Sequence, residues 1–467
     1  MPADRRAHPF MPNSVPAIKD ELMAALGIDS IDELFEQIPA DHRLDKPLDL
    51  PPTLSSEAAL SRHMRGLLNK NTSAADALSF LGGGCWQHYV PAVCDELARR
   101  TEFLTPVWGT PSSDLGRNQS WFEFTSQLGE LLDLDLVALP VYSWGCAVGH
   151  AIRMAARLTG RNKVLLPRHL DPERRAVIDN YCEPAEMPSH IEVVEIDRDP
   201  ETGRLNLDDL AAKLDEQTAA VYFENPSWLG QIEADAATIA AAARKHGAET
   251  IVGVDPASLG VLAAPGDYGA DIVVGSIQPL GVPMYCGGGL GGFIASRDEP
   301  RYAHEYPALM VSIAQTTHDE HIFSLALMHQ CSYGSREEAK DWTGNSTYLY
   351  TVVCAAYMAL LGPEGFRELG ELILQQSHYA AQKLDAIDGI RVQPREGFFK
   401  EFVVNVDATG KSIAEINKAL LARNIFGGID LSADFPDLGQ SSLYCVTEVH
   451  TKEDIDTLAA ALEEVIR

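Results

Sequence analysis

The sequence predicts an α/β fold: a large domain with a mainly parallel sheet, followed by a small α+β domain. Short, continuous apolar runs alternate with helical patterns in the middle of the chain, and this pattern changes after about residue 340. Continuous apolar runs are typical of strands covered on both faces, as in parallel sheets. With 467 residues the chain is long enough for two or three domains. We therefore predict an N-terminal helical arm (1–75), a large α/β domain (76–335) and a small C-terminal domain (336–467).

The first residues are helical and interrupted by prolines. Ser30-Ile-Asp-Glu33 is a capping box, so it predicts the start of a short helix, which Pro39 helps to end. This segment has the character of an arm rather than of a domain.

Seven apolar runs are the predicted strands of the large domain, and helices such as Asp235–His246 lie between them. These runs are Val137–Val141, Lys163–Pro167, Ile191–Ile196, Ala219–Glu224, Ile251–Asp255, Asp271–Ile277 and Gly292–Ser296.

The C-terminal part alternates helices and strands, which suits a small α+β domain. A second capping box, Ser412-Ile-Ala-Glu415, opens one of its helices. The predicted elements are a helix around Thr351–Leu361, a strand at Phe402–Val406, a strand at Ser441–Val446 and a last helix from Thr451.

Composition excludes several classes of partner and site. The net charge of −30 argues against nucleic acid and against anionic membranes, because both require clustered Lys and Arg. No apolar run reaches the roughly 18–20 residues of a membrane helix, and no apolar segment follows the basic N-terminus, so we expect a cytoplasmic protein. The eight cysteines show no CxxC spacing, and they predict neither a disulfide framework nor a zinc site.

Two polar residues follow neighbouring predicted strands, where ligands bind in such sheets. Asp255 ends one run, and Gln278-Pro279 follow the next. In pyridoxal-phosphate enzymes of this layout, an Asp pairs with the pyridinium nitrogen and a lysine after the next strand forms the Schiff base. No lysine occurs between Lys245 and Lys340. The chain therefore has the plan of a cofactor enzyme without the essential lysine.

Several collinear motifs resemble the glycine dehydrogenase (decarboxylating) P-proteins, in particular the alpha subunits of the two-subunit form. The resemblance extends over nearly the whole chain. The motifs that carry it are Gly27–Pro39, His88-Tyr-Val-Pro91, Pro265–Gly275, Gln278-Pro-Leu-Gly-Val-Pro283, Leu360-Leu-Gly-Pro-Glu-Gly365 and Cys445-Val-Thr-Glu448.

The resemblance implies a type-I pyridoxal-phosphate-dependent transferase fold, similar to that of aspartate aminotransferase. It implies that this chain binds no cofactor covalently, because Pro279 stands in the place of the lysine. A beta-type partner subunit would then carry the pyridoxal phosphate. The pair would decarboxylate glycine and pass the aminomethyl group to a lipoyl H-protein.

Some segments depart from the family pattern. Ser143-Trp144-Gly145-Cys146 and Asp341–Thr347 replace more usual sequences at presumptive pocket positions. A second hypothesis is therefore a homodimeric paralogue that has lost pyridoxal phosphate and does other chemistry. Its new site would contain Trp144, Cys146, Trp342 and the histidine cluster of His304, His318, His321 and His329. A third is a non-catalytic scaffold subunit.

No residue is assigned a catalytic role, and no GxSxG elbow supports a hydrolase. The candidate pocket residues are His88, Tyr89, Trp144, Cys146, Asn225, Asp255, Gln278, Arg336 and Asn345. Structural roles stay open for them: a hydrogen-bonded pair at an interface for the first two, a turn at Asn225, and a surface salt bridge for Arg336. We expect no metal site, although the region of His304, His318, His321 and His329 leaves metal binding open.

Overall fold

Two units make up the computed structural model, residues 1–72 and residues 73–467. The structure describes residues 7–8, 10–44, 46, 48–100, 103, 111–284, 290–326, 335–343, 346–394 and 397–467.

The first unit contains two α-helices, α1 (Pro16–Leu26) and α2 (Glu57–Leu68). Between them a 3-10 helix covers Ile31–Phe35, and its N-terminus has the predicted capping box. The Glu33 carboxylate accepts the backbone N–H of Ser30 at 2.8 Å. None of the described residues of this unit is buried.

A seven-stranded sheet forms the centre of the second unit. Its order is β2-β8-β7-β6-β5-β3-β4, with parallel pairing from β7 to β4 and antiparallel pairing of β8 with β7 and β2. The prediction of a mainly parallel sheet is confirmed. The strands up to this point of the chain are β1 (Leu78–Ser79), β2 (Leu136–Val137), β3 (Lys163–Pro167), β4 (Glu192–Ile196), β5 (Thr218–Glu224), β6 (Glu249–Val254), β7 (Ile272–Ser276) and β8 (Gly292–Ser296).

Apolar clusters cover both faces of this sheet, which explains the continuous apolar runs in the sequence. In β6, for example, Val252 and Val254 belong to one buried cluster and Ile251 belongs to the other. The helices of this region are α3 (Ala92–Ala98), α4 (Pro111–Leu132), α5 (Trp144–Thr159), α6 (Pro172–Cys182), α7 (Leu207–Lys213), α8 (Ala236–Lys245) and α9 (Pro300–Ala303).

A separate antiparallel hairpin and a second sheet follow. The hairpin consists of β9 (Met310–Gln315) and β10 (His321–Ala326). The second sheet has the order β11-β12-β15-β14 and is antiparallel, and β1 pairs with β13 beside it. The remaining elements are α10 (Tyr350–Asp385), β11 (Arg391–Gln393), β12 (Glu401–Asn405), α11 (Ile413–Leu421), β13 (Ile425–Phe426), β14 (Ile429–Asp430), β15 (Ser441–Cys445) and α12 (Lys452–Ile466).

The predicted strand Val137–Val141 is shorter than expected. Regular pairing covers Leu136–Val137, and Val141 makes only an isolated bridge to Gly292. Pro140 interrupts the run because it has no N–H to donate to a neighbouring strand. No helix of the described residues is long and apolar enough to cross a membrane.

Candidate functional site

Asp255 and Gln278 lie at the carboxyl edge of the central sheet, after the adjacent strands β6 and β7. Both side chains are buried. The strand before Asp255 ends at Val254, because Asp255 caps the following turn and accepts the Ala257 N–H at 3.1 Å. The structure therefore brings the two residues to the edge where the sequence predicted a site.

The Gln278 amide is fully engaged in structural hydrogen bonds. Its Nε2 donates to the carbonyls of Trp86 at 2.9 Å and Val282 at 3.1 Å, and its Oε1 accepts the Trp86 N–H at 3.1 Å. Gln278 thus ties the end of β7 to the segment around Trp86. Neither it nor Pro279 offers an amine.

The cation at this edge is Lys400, which sequence reasoning did not identify. The residue is only 2% exposed, and its Nζ lies 2.6 Å from Oδ2 of Asp255. The same Nζ lies 3.1 Å from Nε2 of His88 and 3.5 Å from the centre of the Trp86 ring. A carboxylate, an imidazole and an aromatic face therefore surround the buried ammonium group.

His88 extends this network towards Tyr89. Its Nε2 faces the Lys400 ammonium, so Nε2 accepts and Nδ1 donates to Glu448 at 2.7 Å. The other oxygen of Glu448 accepts the Tyr89 N–H, also at 2.7 Å. Burial opposes ionisation of Glu448, but His88 and this N–H outweigh it and lower the pKa of the carboxyl. The Tyr89 side chain is 66% exposed.

Trp144 and Arg174 form another wall of the site. The Arg174 guanidinium lies over the Trp144 ring, 3.9 Å from its centre, and it pairs with the buried Glu224 carboxylate. Glu224 also accepts the Tyr222 hydroxyl at 2.6 Å. Burial raises the pKa of Glu224, and Arg174 opposes this effect. Buried charges of this kind require partners, and here each has one.

The Glu401 carboxyl lies next to Lys400 in sequence and in the same pocket. Its Oε1 accepts the Gly83 N–H at 2.6 Å. Burial raises the pKa of Glu401 to about 7, although Lys400 and this N–H favour the charged form. Its protonation state therefore changes near neutral pH.

Little space remains between these side chains. The cavity lined by Trp86, Trp144, Arg174, Asp255 and Lys400 has a volume of about 20 Å³, which is enough for one water molecule. Pyridoxal phosphate, with its ring and phosphate group, does not fit there. A wider cleft of about 430 Å³ lies beside this cavity, lined by residues 82–85 and by the start of α5.

The other candidate residues lie away from this cavity or have structural contacts. Asn225 accepts the Glu233 N–H at 3.0 Å, as expected for a turn residue. Cys146 is half-buried in the first turn of α5 and lies beside Tyr181. Arg336 is exposed in a short 3-10 helix outside the cavity. Asn345 lies outside the described residues.

The histidine-rich region does not form a metal centre within the part of the chain that the structure describes. No group of three or more His, Cys, Asp or Glu side chains is arranged there to hold an ion. His329 lies outside the described residues. Trp342 packs instead with the apolar cluster that contains Trp121 and Tyr348.

Sequence reasoning missed Lys400, Arg174, Glu224 and Glu401. Glu224 is the last residue of an apolar strand, and Asp255 follows one directly, so the cost of burying a carboxylate would have singled out Glu224 as well. Nothing in the sequence indicates that Lys400 is buried, because a lysine just before a strand is usually exposed.

Comparison with protein families gives one match over almost the full length. The model described as glycine cleavage system P-protein matches residues 10–462. Two similar proteins carry the name probable glycine dehydrogenase (decarboxylating) subunit 1. The one from Staphylothermus marinus is 35% identical and the match covers 98% of each chain. The one from Thermococcus onnurineus is 37% identical over 98% of this chain and 99% of its own.

Two solved structures also match this chain. A crystal structure of glycine decarboxylase (P-protein) of the glycine cleavage system, in inhibitor-bound form, matches with a TM-score of 0.86 and 31% identity, over 98% of this chain and 100% of that one. A sphingosine-1-phosphate lyase of Burkholderia pseudomallei matches with a TM-score of 0.64 and 14% identity, over 92% and 94% of the two chains. The predicted type-I fold is confirmed.

Proposed function

Since the chain belongs to the glycine cleavage system P-protein family, we propose that it is the alpha-type subunit of a two-subunit glycine decarboxylase. The observation that carries the proposal is the combination of a full-length family match with a site that lacks a Schiff-base lysine. At that place stands Gln278-Pro279, and all the hydrogen bonds of the Gln278 amide are structural. This chain would not carry out pyridoxal-phosphate catalysis alone.

We assign pyridoxal phosphate to a beta-type partner subunit that supplies the lysine. There the cofactor would act as an electron sink during the decarboxylation of glycine. This chain would complete the pocket and help to dock a lipoyl H-protein, which receives the aminomethyl group. A cytoplasmic location stays a prediction.

The exposed Tyr89 is our candidate for a contact with the partner's active site. Its backbone is fixed by Glu448, which is in turn held by His88, so the segment is pre-organised before any partner binds. An aromatic side chain that is 66% exposed on a rigid segment is typical of an interface anchor.

The alternative of a homodimeric paralogue with a new site is not favoured. It requires Trp144, Cys146, Trp342 and the histidine cluster to share a site. Trp144 lines the small cavity, whereas Cys146 lies beside Tyr181 and Trp342 packs in a separate apolar cluster.

Reconstitution tests the proposal. We expect exchange of the glycine carboxyl with bicarbonate only when this chain and its beta-type partner are mixed, and we expect borohydride to trap pyridoxal phosphate on a lysine of the partner. Exchange by the partner alone at the full rate would contradict the proposal. So would a cofactor trapped on this chain in the active complex.

Tyr89→Ala tests the contact with the partner. We expect at least about a tenfold loss of partner affinity, corresponding to about 1.4 kcal/mol, with unchanged thermal stability. Met187→Ala is the matched control, because Met187 is also an exposed apolar residue and does not line the cavity. Equal affinities of the two variants would refute the assignment.

A further inference from the structure

The Asp255 carboxylate already has a buried cationic partner within its own chain. Lys400 Nζ lies 2.6 Å from it, and His88 and the Trp86 ring cover other sides of the ammonium group. Both Asp255 and Lys400 are almost fully buried. The pair is therefore shielded from water and satisfies the need of each charge for a counter-ion.

The Lys400 ammonium group occupies the position next to Asp255 that the ring nitrogen of the cofactor occupies in pyridoxal-phosphate enzymes. In pyridoxal-phosphate enzymes a carboxylate of this kind stabilises the protonated ring nitrogen of the cofactor. Here an ammonium group makes that interaction. A pyridinium could reach Asp255 only by displacing Lys400, which would leave the Lys400 charge buried without its partner.

Lys400 is equally unable to act as the Schiff-base lysine. The aldehyde group of pyridoxal phosphate lies opposite the ring nitrogen, on the far side of the ring. A lysine whose Nζ touches Asp255 is therefore at the wrong end of any ring that pairs with Asp255. Lys400 therefore cannot both pair with Asp255 and form a Schiff base with the cofactor.

A second set of side chains closes the cavity from another side. Arg174 lies over the Trp144 ring and is paired with Glu224. What remains has the volume of about one water molecule.

We propose that Lys400 is an internal substitute for the pyridinium of the cofactor, and that it closes this pocket to pyridoxal phosphate, whether covalently bound or not. The inference rests on the proposed function, since it explains how an alpha-type chain keeps the cofactor on its partner. It assigns Asp255 a structural role as the counter-ion of Lys400.

Equilibrium dialysis of the full chain, without partner, tests the closure directly. We expect the wild-type chain to show no saturable pyridoxal-phosphate site that depends on Asp255. One equivalent of cofactor bound per chain and lost in Asp255→Asn would overturn the proposal. Binding that Asp255→Asn leaves unchanged lies elsewhere on the chain and agrees with the closed pocket.

A double-mutant cycle tests the ion pair. We expect Lys400→Met and Asp255→Asn each to lower the Tm markedly, because each leaves one buried charge unpaired, and we expect the double variant to regain most of the loss. Lys452→Met, at the exposed pair with Asp456, is the control and should change the Tm little. Losses that simply add in the double variant would overturn the proposal.

The dialysis and the double-mutant cycle test the closed pocket independently of the proposed function. Both use the chain alone, so they do not depend on a partner or on turnover, and the dialysis of the wild-type chain does not depend on the folding of a variant. Failure of the reconstituted pair to exchange the glycine carboxyl would contradict the proposed function and leave the closed pocket intact.

Discussion

Glu401→Gln should make the stability of the protein less dependent on pH. Burial raises the pKa of Glu401 from 4.5 to about 7, so between these pH values the folded chain holds a proton that the unfolded chain has lost. Stability from this group is present below pH 4.5 and is lost as the pH rises through about 7. At ~1.4 kcal/mol per pH unit, the loss is about 3 kcal/mol. Glutamine stays neutral and retains an oxygen for the Gly83 N–H.

Urea unfolding at pH 5, 6, 7 and 8, followed by tryptophan fluorescence, measures this effect. Relative to the wild type, the free energy of unfolding of the Glu401→Gln variant should rise by about 2.5 kcal/mol between pH 5 and pH 8. Glu463→Gln, at an exposed pair with Arg467, should show no such trend. A difference between Glu401→Gln and wild type that stays constant across this range would refute the reasoning.

Three further substitutions have defined outcomes. Gly149→Ala should lower the free energy of unfolding in urea by ~1–3 kcal/mol, because the added Cβ would lie 2.6 Å from the Tyr181 ring. Gly66→Ala, at a helical position with open space around it, is the control and should not destabilise the protein. Burial, opposed by Asp341, lowers the pKa of His150 to about 4. The free energy of unfolding of the wild type should therefore fall by about 3 kcal/mol as the pH falls from 6.5 to about 4, and His150→Gln should remove this loss. Equal acid sensitivity of variant and wild type would refute this. Gln278→Leu should cost about 3 kcal/mol in the same assay, since it leaves three backbone groups unpaired, and a loss near zero would contradict its structural role.

The fold was predictable because its main signal is local. Strands that are covered on both faces need apolar side chains on both faces, so the runs Lys163–Pro167 and Gly292–Ser296 were predicted with their correct bounds. Capping boxes at Ser30 and Ser412 also gave correct helix starts, because the hydrogen bonds involved span only three residues. Pro140 was overlooked, and the strand around it was predicted too long.

The site was predictable only in part, because its contacts join distant segments. Asp255 and Gln278 were found, since residues after adjacent parallel strands must lie at one edge of the sheet. Lys400 comes from the segment before β12, and its contact with Asp255 depends on how the second sheet packs on the first. No pattern within either segment indicates that contact. The resemblance to known proteins implies that Pro279 stands at the position of a lysine, but it does not indicate which side chains line the neighbouring pocket.

The mutual dependence of Asp255, Lys400, His88 and Glu448 limits how this chain can change over generations. Each side chain is the partner of the next, so replacing one leaves another buried group without its hydrogen bond or counter-ion. Every single substitution in this network therefore gives a less stable protein. Under the proposed function, such a network would make loss of the cofactor from this chain difficult to reverse, and it would stabilise the division of roles between the two subunits.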